Sequence, residues 1–115
     1  MSDIQLISKP LTKTELQDIA NERFGDMVKG VVDVEKKVVA LGGELHSDIE
    51  AFLLDHDSVQ TNLWGINLYP AMEFPEMVEF DSMINIRPSQ GNKSRGVEDV
   101  ETQKRILEVV RSIIV

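Results

Sequence analysis

The segment MVKGVVDVEKKVVALGG, residues 27–43, constrains the fold more than any other. Val28, Val32 and Val34 fall on one side of an extended chain, with Lys29, Val31 and Asp33 on the other. Val38–Leu41 is a second β-rich run, and only Glu35–Lys37 separates the two. The pair reads as a β-hairpin, although its turn lacks the Asn-Gly signal that would fix the turn type. Gly42 and Gly43 end the second strand.

Helical segments flank and follow this hairpin. In LTKTELQDIANERFG, Thr12 and Glu15 form a capping box, each side chain serving the other's backbone N–H. Leu16, Ile19, Ala20 and Phe24 then make one apolar stripe, and Gly25 suits a left-handed helix end. HSDIEAFLLDHDS (46–58) carries a second capping-box pattern, Ser47 to Glu50, with Ile49, Phe52 and Leu53 at helical spacing. At the C-terminus, Asp99 is placed to cap VETQKRILEVVRSIIV, whose stripe runs Gln103, Ile106, Leu107, Val110, Ile113 and Ile114.

The remaining strands are read from period-two alternation. IQLIS (4–8) is a short one. NLWGINLY (62–69) sets Trp64, Ile66 and Leu68 on one face, with Asn67 and Tyr69 on the other. MVEFDSMINIR (77–87) alternates throughout and predicts one long strand, or two around a bulge near Asp81–Ser82. The order β-α-β-β-α-β-β-α predicts a two-layer α+β domain over residues 1–115. Its mixed or antiparallel sheet has four to six strands, and its three helices lie mostly on one face. Half-polar strands imply that the other sheet face is wet, ligand-covered or paired with a partner.

Composition narrows the chemistry. The 115 residues include no cysteine, which excludes disulfides, thiolate metal sites and a cysteine nucleophile. A net charge of −8 argues against broad binding to nucleic acid, whose affinity comes mainly from phosphate neutralisation. MSDIQLISKP lacks the apolar core of a signal peptide, and no apolar run reaches the ~20 residues needed to cross a bilayer. The expectation is a cytoplasmic protein without membrane association.

Three groups of residues are candidates for a site. NIRPSQGNKSRGVED (85–99) is a cationic loop in an acidic chain. Asn85, Arg87, Gly91, Asn92, Lys93, Ser94 and Arg95 bring donors, cations and a flexible backbone to the start of the last helix, where free N–H groups favour an anion. The competing reading is that the cations neutralise Glu98, Asp99 and Glu101 and hold the loop down. The second group is Glu44, His46, Asp48 and His56, which are proper residue types for a metal but lack a recognised metal-site spacing. The third is the polar sheet face. There Asn67 accompanies Tyr69, Asp81, Asn85 and Arg87, Asp81 would orient Arg87, and Gly30 and Gly65 would leave a shallow depression.

RFGDMVKGVVDVEKKVVALGGELHSDIEAFLL, LWGINLYP and FDSMINIRPSQGNKSRGVED resemble the segments of a small uncharacterised prokaryotic protein family, a domain of unknown function. The resemblance runs from about Leu11 to the C-terminal helix. It implies a free-standing cytoplasmic protein and assigns no activity, cofactor or site residue. From the residues themselves, the leading expectation is a module that binds a small phosphate- or carboxylate-bearing ligand at the loop 87–98 and the polar sheet face. The alternatives are a protein-interaction domain that forms a homo-oligomer through its sheet face or edge, and a metal-dependent hydrolase at His46. No cofactor is expected.

Overall fold

A computed structural model describes residues 4–115; the first three residues of the segment read above for a leader lie outside it. The elements are β1 (Gln5–Ile7), α1 (Lys13–Asn21), β2 (Val28–Asp33), β3 (Val38–Leu41), α2 (His46–Leu54), β4 (Leu63–Leu68), β5 (Val78–Glu79) and α3 (Val100–Ile113). The five strands form one sheet in the order β1-β3-β2-β4-β5, with every neighbouring pair antiparallel. The fold is α+β, in the expected order of elements.

Local sequence explains much of this. Thr12 and Glu15 form the reciprocal capping box at the start of α1, and Leu16, Ile19 and Ala20 are its buried stripe. Phe24 lies beyond the helix and is exposed. Gly25 has φ +85° and donates its N–H to Ala20 O, closing the helix end. The β2–β3 turn needs no Asn-Gly because the Asp33 carboxylate organises it. Asp33 Oδ1 accepts from the N–H groups of Glu35 (3.0 Å) and Lys36 (2.9 Å), and Oδ2 accepts from the Ser58 hydroxyl at 2.7 Å.

The main core lies between the sheet and the helices α1 and α3. It joins Val28, Val32 and Val34 to Trp64, Ile66 and Leu68, and to Ile106, Val109, Val110 and Ile113 of α3. Gly30 belongs to this face, and its open position is filled by the Leu41 and Ile66 side chains. Helix α2 lies on the opposite face, where Ile49 and Leu53 pack on Val31, Ala40 and Leu63. It thus adds a cover to the two layers formed by the sheet and α1/α3. The second face is therefore largely covered by the chain itself.

Two local expectations fail. Helix α2 starts at His46, two residues earlier than a Ser47 cap requires, and Leu45 at its N-cap makes no side-chain cap bond. The alternating run 77–87 is not a long strand. Only Val78–Glu79 pairs with β4, and the chain then turns through short 3-10 segments at Met83–Asn85 and Pro88–Gln90. The reason is a competition for backbone partners. Ser82 Oγ accepts from the Ile84 N–H, and the Asn85 side chain takes the place a strand backbone would occupy beside β4.

Candidate functional site

In β4, Leu63, Gly65 and Asn67 turn their backbone groups away from β2, towards the β5 side. Because β5 reaches only Asn67 and Leu68, the groups of Gly65 and Leu63 need other partners. Asn85 supplies them as a side-chain substitute for a strand. Its Oδ1 accepts from the Gly65 N–H at 2.8 Å, and its Nδ2 donates to Gly65 O (3.0 Å) and Arg95 O (2.9 Å). Arg87 continues the row by donating to Leu63 O and to Gln60 O. Its guanidinium also lies 4.2 Å from the centre of the Trp64 ring. Burial pulls the Arg87 pKa below its ordinary value, and the Glu50 carboxylate opposes that shift.

The cationic loop is closed from within by Asn92. Its Nδ2 donates to the carbonyls of Asn85 (2.7 Å), Ser94 (3.1 Å) and Gly96 (2.8 Å), and its Oδ1 accepts from the Glu98 N–H at 2.8 Å. Gly91 takes the left-handed conformation that reverses the chain. The Glu98 carboxylate turns back onto the Lys93 N–H (2.9 Å). Its pKa is lowered first by a hydrogen bond from the Ser94 side chain and then by that backbone N–H. Asp99 caps α3 through the Thr102 N–H and hydroxyl. Asp81 does not orient Arg87; it pairs with Arg95 at 2.7 Å. Of the sequence candidates, Asn85, Arg87, Gly91 and Asn92 thus form the scaffold of the loop, which leaves Arg95 and Asn67 beside open space.

That space is a cavity of about 270 Å³ on the second sheet face, below α2. Its wall joins Lys29 of β2, His46 and Ser47 of α2, Asn67 of β4, and the folded-back segment, which brings Ser82 and the Asp81–Arg95 ion pair. The expected depression at Gly65 does not form, because Ser82 occupies it: a Cβ at Gly65 would sit 2.5 Å from the Ser82 Cβ. The cavity lies one residue pair further along the sheet, where Lys29 and Asn67 are cross-strand partners.

Asn67 is only 7% exposed. Its Nδ2 donates to Glu79 Oε1 at 2.8 Å and to Asp81 O at 3.3 Å, while its buried Oδ1 has no partner. Lys29 makes no ion pair among the described residues and lies 5.3 Å from the centre of the Phe24 ring. His46 Nε2 lies 2.8 Å from Ile66 O, so Nε2 carries the proton and donates. Burial pushes the His46 pKa down, helped by Lys29 and Arg95 and opposed by the bond to Ile66 O and by Asp81, which favours the neutral ring. Nδ1 is then an acceptor. The uncapped start of α2 adds N–H groups to the same wall.

Comparison with protein families gives one assignment: the family described as "Protein of unknown function (DUF5674)" matches residues 5–113. The chain belongs to this family. Comparison with curated proteins and with solved structures gives no match. The family covers nearly the whole fold, including each residue of the cavity wall.

The metal candidates do not converge. His46 spends its Nε2 proton on Ile66 O, His56 Nδ1 lies 2.7 Å from Phe52 O with its ring stacked on Phe52, and Glu44 pairs with Arg23 at 3.2 Å. Among the described residues no group of three or more His and carboxylate side chains is placed to hold a metal ion. No helix of the described residues is long and apolar enough to cross a membrane. Sequence reasoning joined Asn67 and Arg95 in one expected site, kept His46 in a separate candidate and passed over Lys29. Setting the polar positions of β2 against those of β4 in register would have paired Lys29 with Asn67.

Proposed function

We propose that this protein binds a small anionic ligand in the cavity between α2 and the sheet, using Lys29, Arg95 and the N–H groups at the start of α2. The observation that carries this reading is a cavity whose wall joins Lys29, which makes no ion pair among the described residues, to the start of α2, where no side chain caps the helix. Ligand clefts commonly measure about 300–1,000 Å³, and 270 Å³ falls just below that range. The occupant is therefore small. The proposed site moves from the loop 87–98 as a whole to the sheet-face end of it, where Arg95 stands.

The test is thermal unfolding of the full chain with phosphate, sulfate and small carboxylates at constant ionic strength. A ligand at 100 times its Kd adds about 2.7 kcal/mol to the native state. The reading expects a rise in Tm that Lys29→Met abolishes while leaving the unliganded Tm close to wild type. A panel with no effect, or an equal effect on Lys29→Met, refutes it.

The self-association reading finds the sheet face covered by α2 and the groups of Leu63 and Gly65 capped by Arg87 and Asn85. The outer strands of the sheet among the described residues are β1, with Leu6 exposed, and the two-residue β5.

A further inference from the structure

We infer that the ligand of this cavity is a singly charged carboxylate with a short aliphatic tail, not a bare or doubly charged oxyanion. The inference rests on the anion-site reading above and goes beyond it to the chemical class of the ligand.

The charge of the wall sets the first limit. Lys29, Asp81 and Arg95 are the fully charged side chains that line the cavity. Asp81 and Arg95 pair at 2.7 Å, so each largely neutralises the other. Lys29 makes no ion pair among the described residues, and it carries the single positive charge that remains. A monoanion balances that charge. A dianion would bring a second negative charge towards the Asp81 carboxylate. Glu79, which binds the Asn67 amide and the Tyr69 hydroxyl, adds another carboxylate close to the wall and repels a dianion further.

The rest of the wall calls for a tail. Leu45, Met83 and Ile84 line the same cavity. Leu45 is 54% exposed and Met83 is 65% exposed, and neither belongs to a core cluster. Leu45 occupies the N-cap of α2, where a Ser, Thr, Asp or Asn would serve the helix better. One exposed apolar side chain is ordinary. Two of them, from separate segments, stand on one cavity wall with an unpaired cation. That is the lining of a small-molecule cleft, in which apolar area supplies contact and a few polar groups fix orientation. Methionine in particular adapts its shape to what it meets. Volume agrees: a cavity of about 150 Å³ takes benzene, so one of about 270 Å³ holds more than an oxyanion alone.

Titration of the full chain followed by NMR tests this, with acetate, butyrate, hexanoate and phosphate at constant ionic strength. At about pH 8 the carboxylates are monoanions and phosphate is mainly a dianion. Each added methylene is expected to tighten binding about two- to fourfold, which sets hexanoate above both acetate and phosphate. Lys29→Met is expected to weaken the whole series. Leu45→Ser and Met83→Ser, at exposed positions outside the core, are expected to reduce the gain per methylene. A flat series, or phosphate tighter than hexanoate, with binding still lost in Lys29→Met, would overturn the carboxylate class and leave the anion site standing. A gain per methylene unchanged in both serine variants would also overturn it, because the tail would then lie elsewhere. Binding of no anion, or hexanol as tight as hexanoate, would overturn both readings.

Discussion

Replacing Asn85 with alanine tests whether one side chain holds the folded-back segment to the sheet. Asn85 is fully buried and makes three bonds, two of them to Gly65. Arg95 O keeps the Ser82 N–H as a donor when Asn85 is truncated. The Gly65 N–H and C=O have no second partner, because β5 is too short to reach them. Two backbone groups are thus orphaned in a region closed to water. At about 1–3 kcal/mol for each buried unsatisfied group, the expected loss is about 2–6 kcal/mol. That is a large part of the ~5–15 kcal/mol that holds a domain folded. For a chain of this size it corresponds to a fall in Tm of roughly 8–25 °C. Urea unfolding followed by Trp64 fluorescence gives the loss as a shift in midpoint at unchanged slope. A loss below about 1 kcal/mol would mean that water or a local shift satisfies Gly65, and that Asn85 does not act as the missing strand.

Two further changes test neighbouring parts of the argument. Gly65→Ala is expected to destabilise by about 1–3 kcal/mol, because the new Cβ would lie 2.5 Å from the Ser82 Cβ and 3.1 Å from Ile84 Cγ1; a neutral effect on Tm would show that the segment does not press on the sheet there. His46 sets a pH dependence. Burial holds its native pKa below the ordinary value of about 6.5, so the unfolded chain binds more protons between those two values. Stability is then expected to rise with pH through that window and to level off on either side of it, as far as His46 is concerned. Urea midpoints across the window, compared with His46→Gln, read the effect. A His46 ring that titrates at or above the ordinary value by NMR would refute the burial argument.

The parts of the fold that were legible in the sequence rest on short-range chemistry. The Thr12–Glu15 box is complete within four consecutive residues, and Asp99 with Thr102 within another four. The stripe of α3 and the alternation of Trp64, Ile66 and Leu68 report which face is buried, whatever buries it. Ser47 and Glu50 had the same pattern as Thr12 and Glu15, yet no box formed. His46 is drawn to Ile66 O, twenty residues away, and the helix starts at His46 instead. The run 77–87 misled for a similar reason. Its alternation is real, but a strand also needs a neighbour for its backbone, and Asn85 and Ser82 gave the backbone something better to do.

The sequence by itself determined the class of the protein: the order of helices and strands, the hairpin at residues 28–41, the face of β4 that enters the core, and a chemistry without thiols. These follow from local propensity and from the period of apolar residues, which each segment carries alone. Only the tertiary structure decided where the polar residues meet. Lys29, His46, Asn67 and Arg95 come from four segments, and they line one cavity because β2 pairs with β4, α2 crosses above them, and the segment after β5 folds back. The same structure placed Arg87, Asn85 and Asn92 in the scaffold, since a buried side-chain donor serves whichever backbone carbonyl lies in reach, and reach is a property of the folded chain.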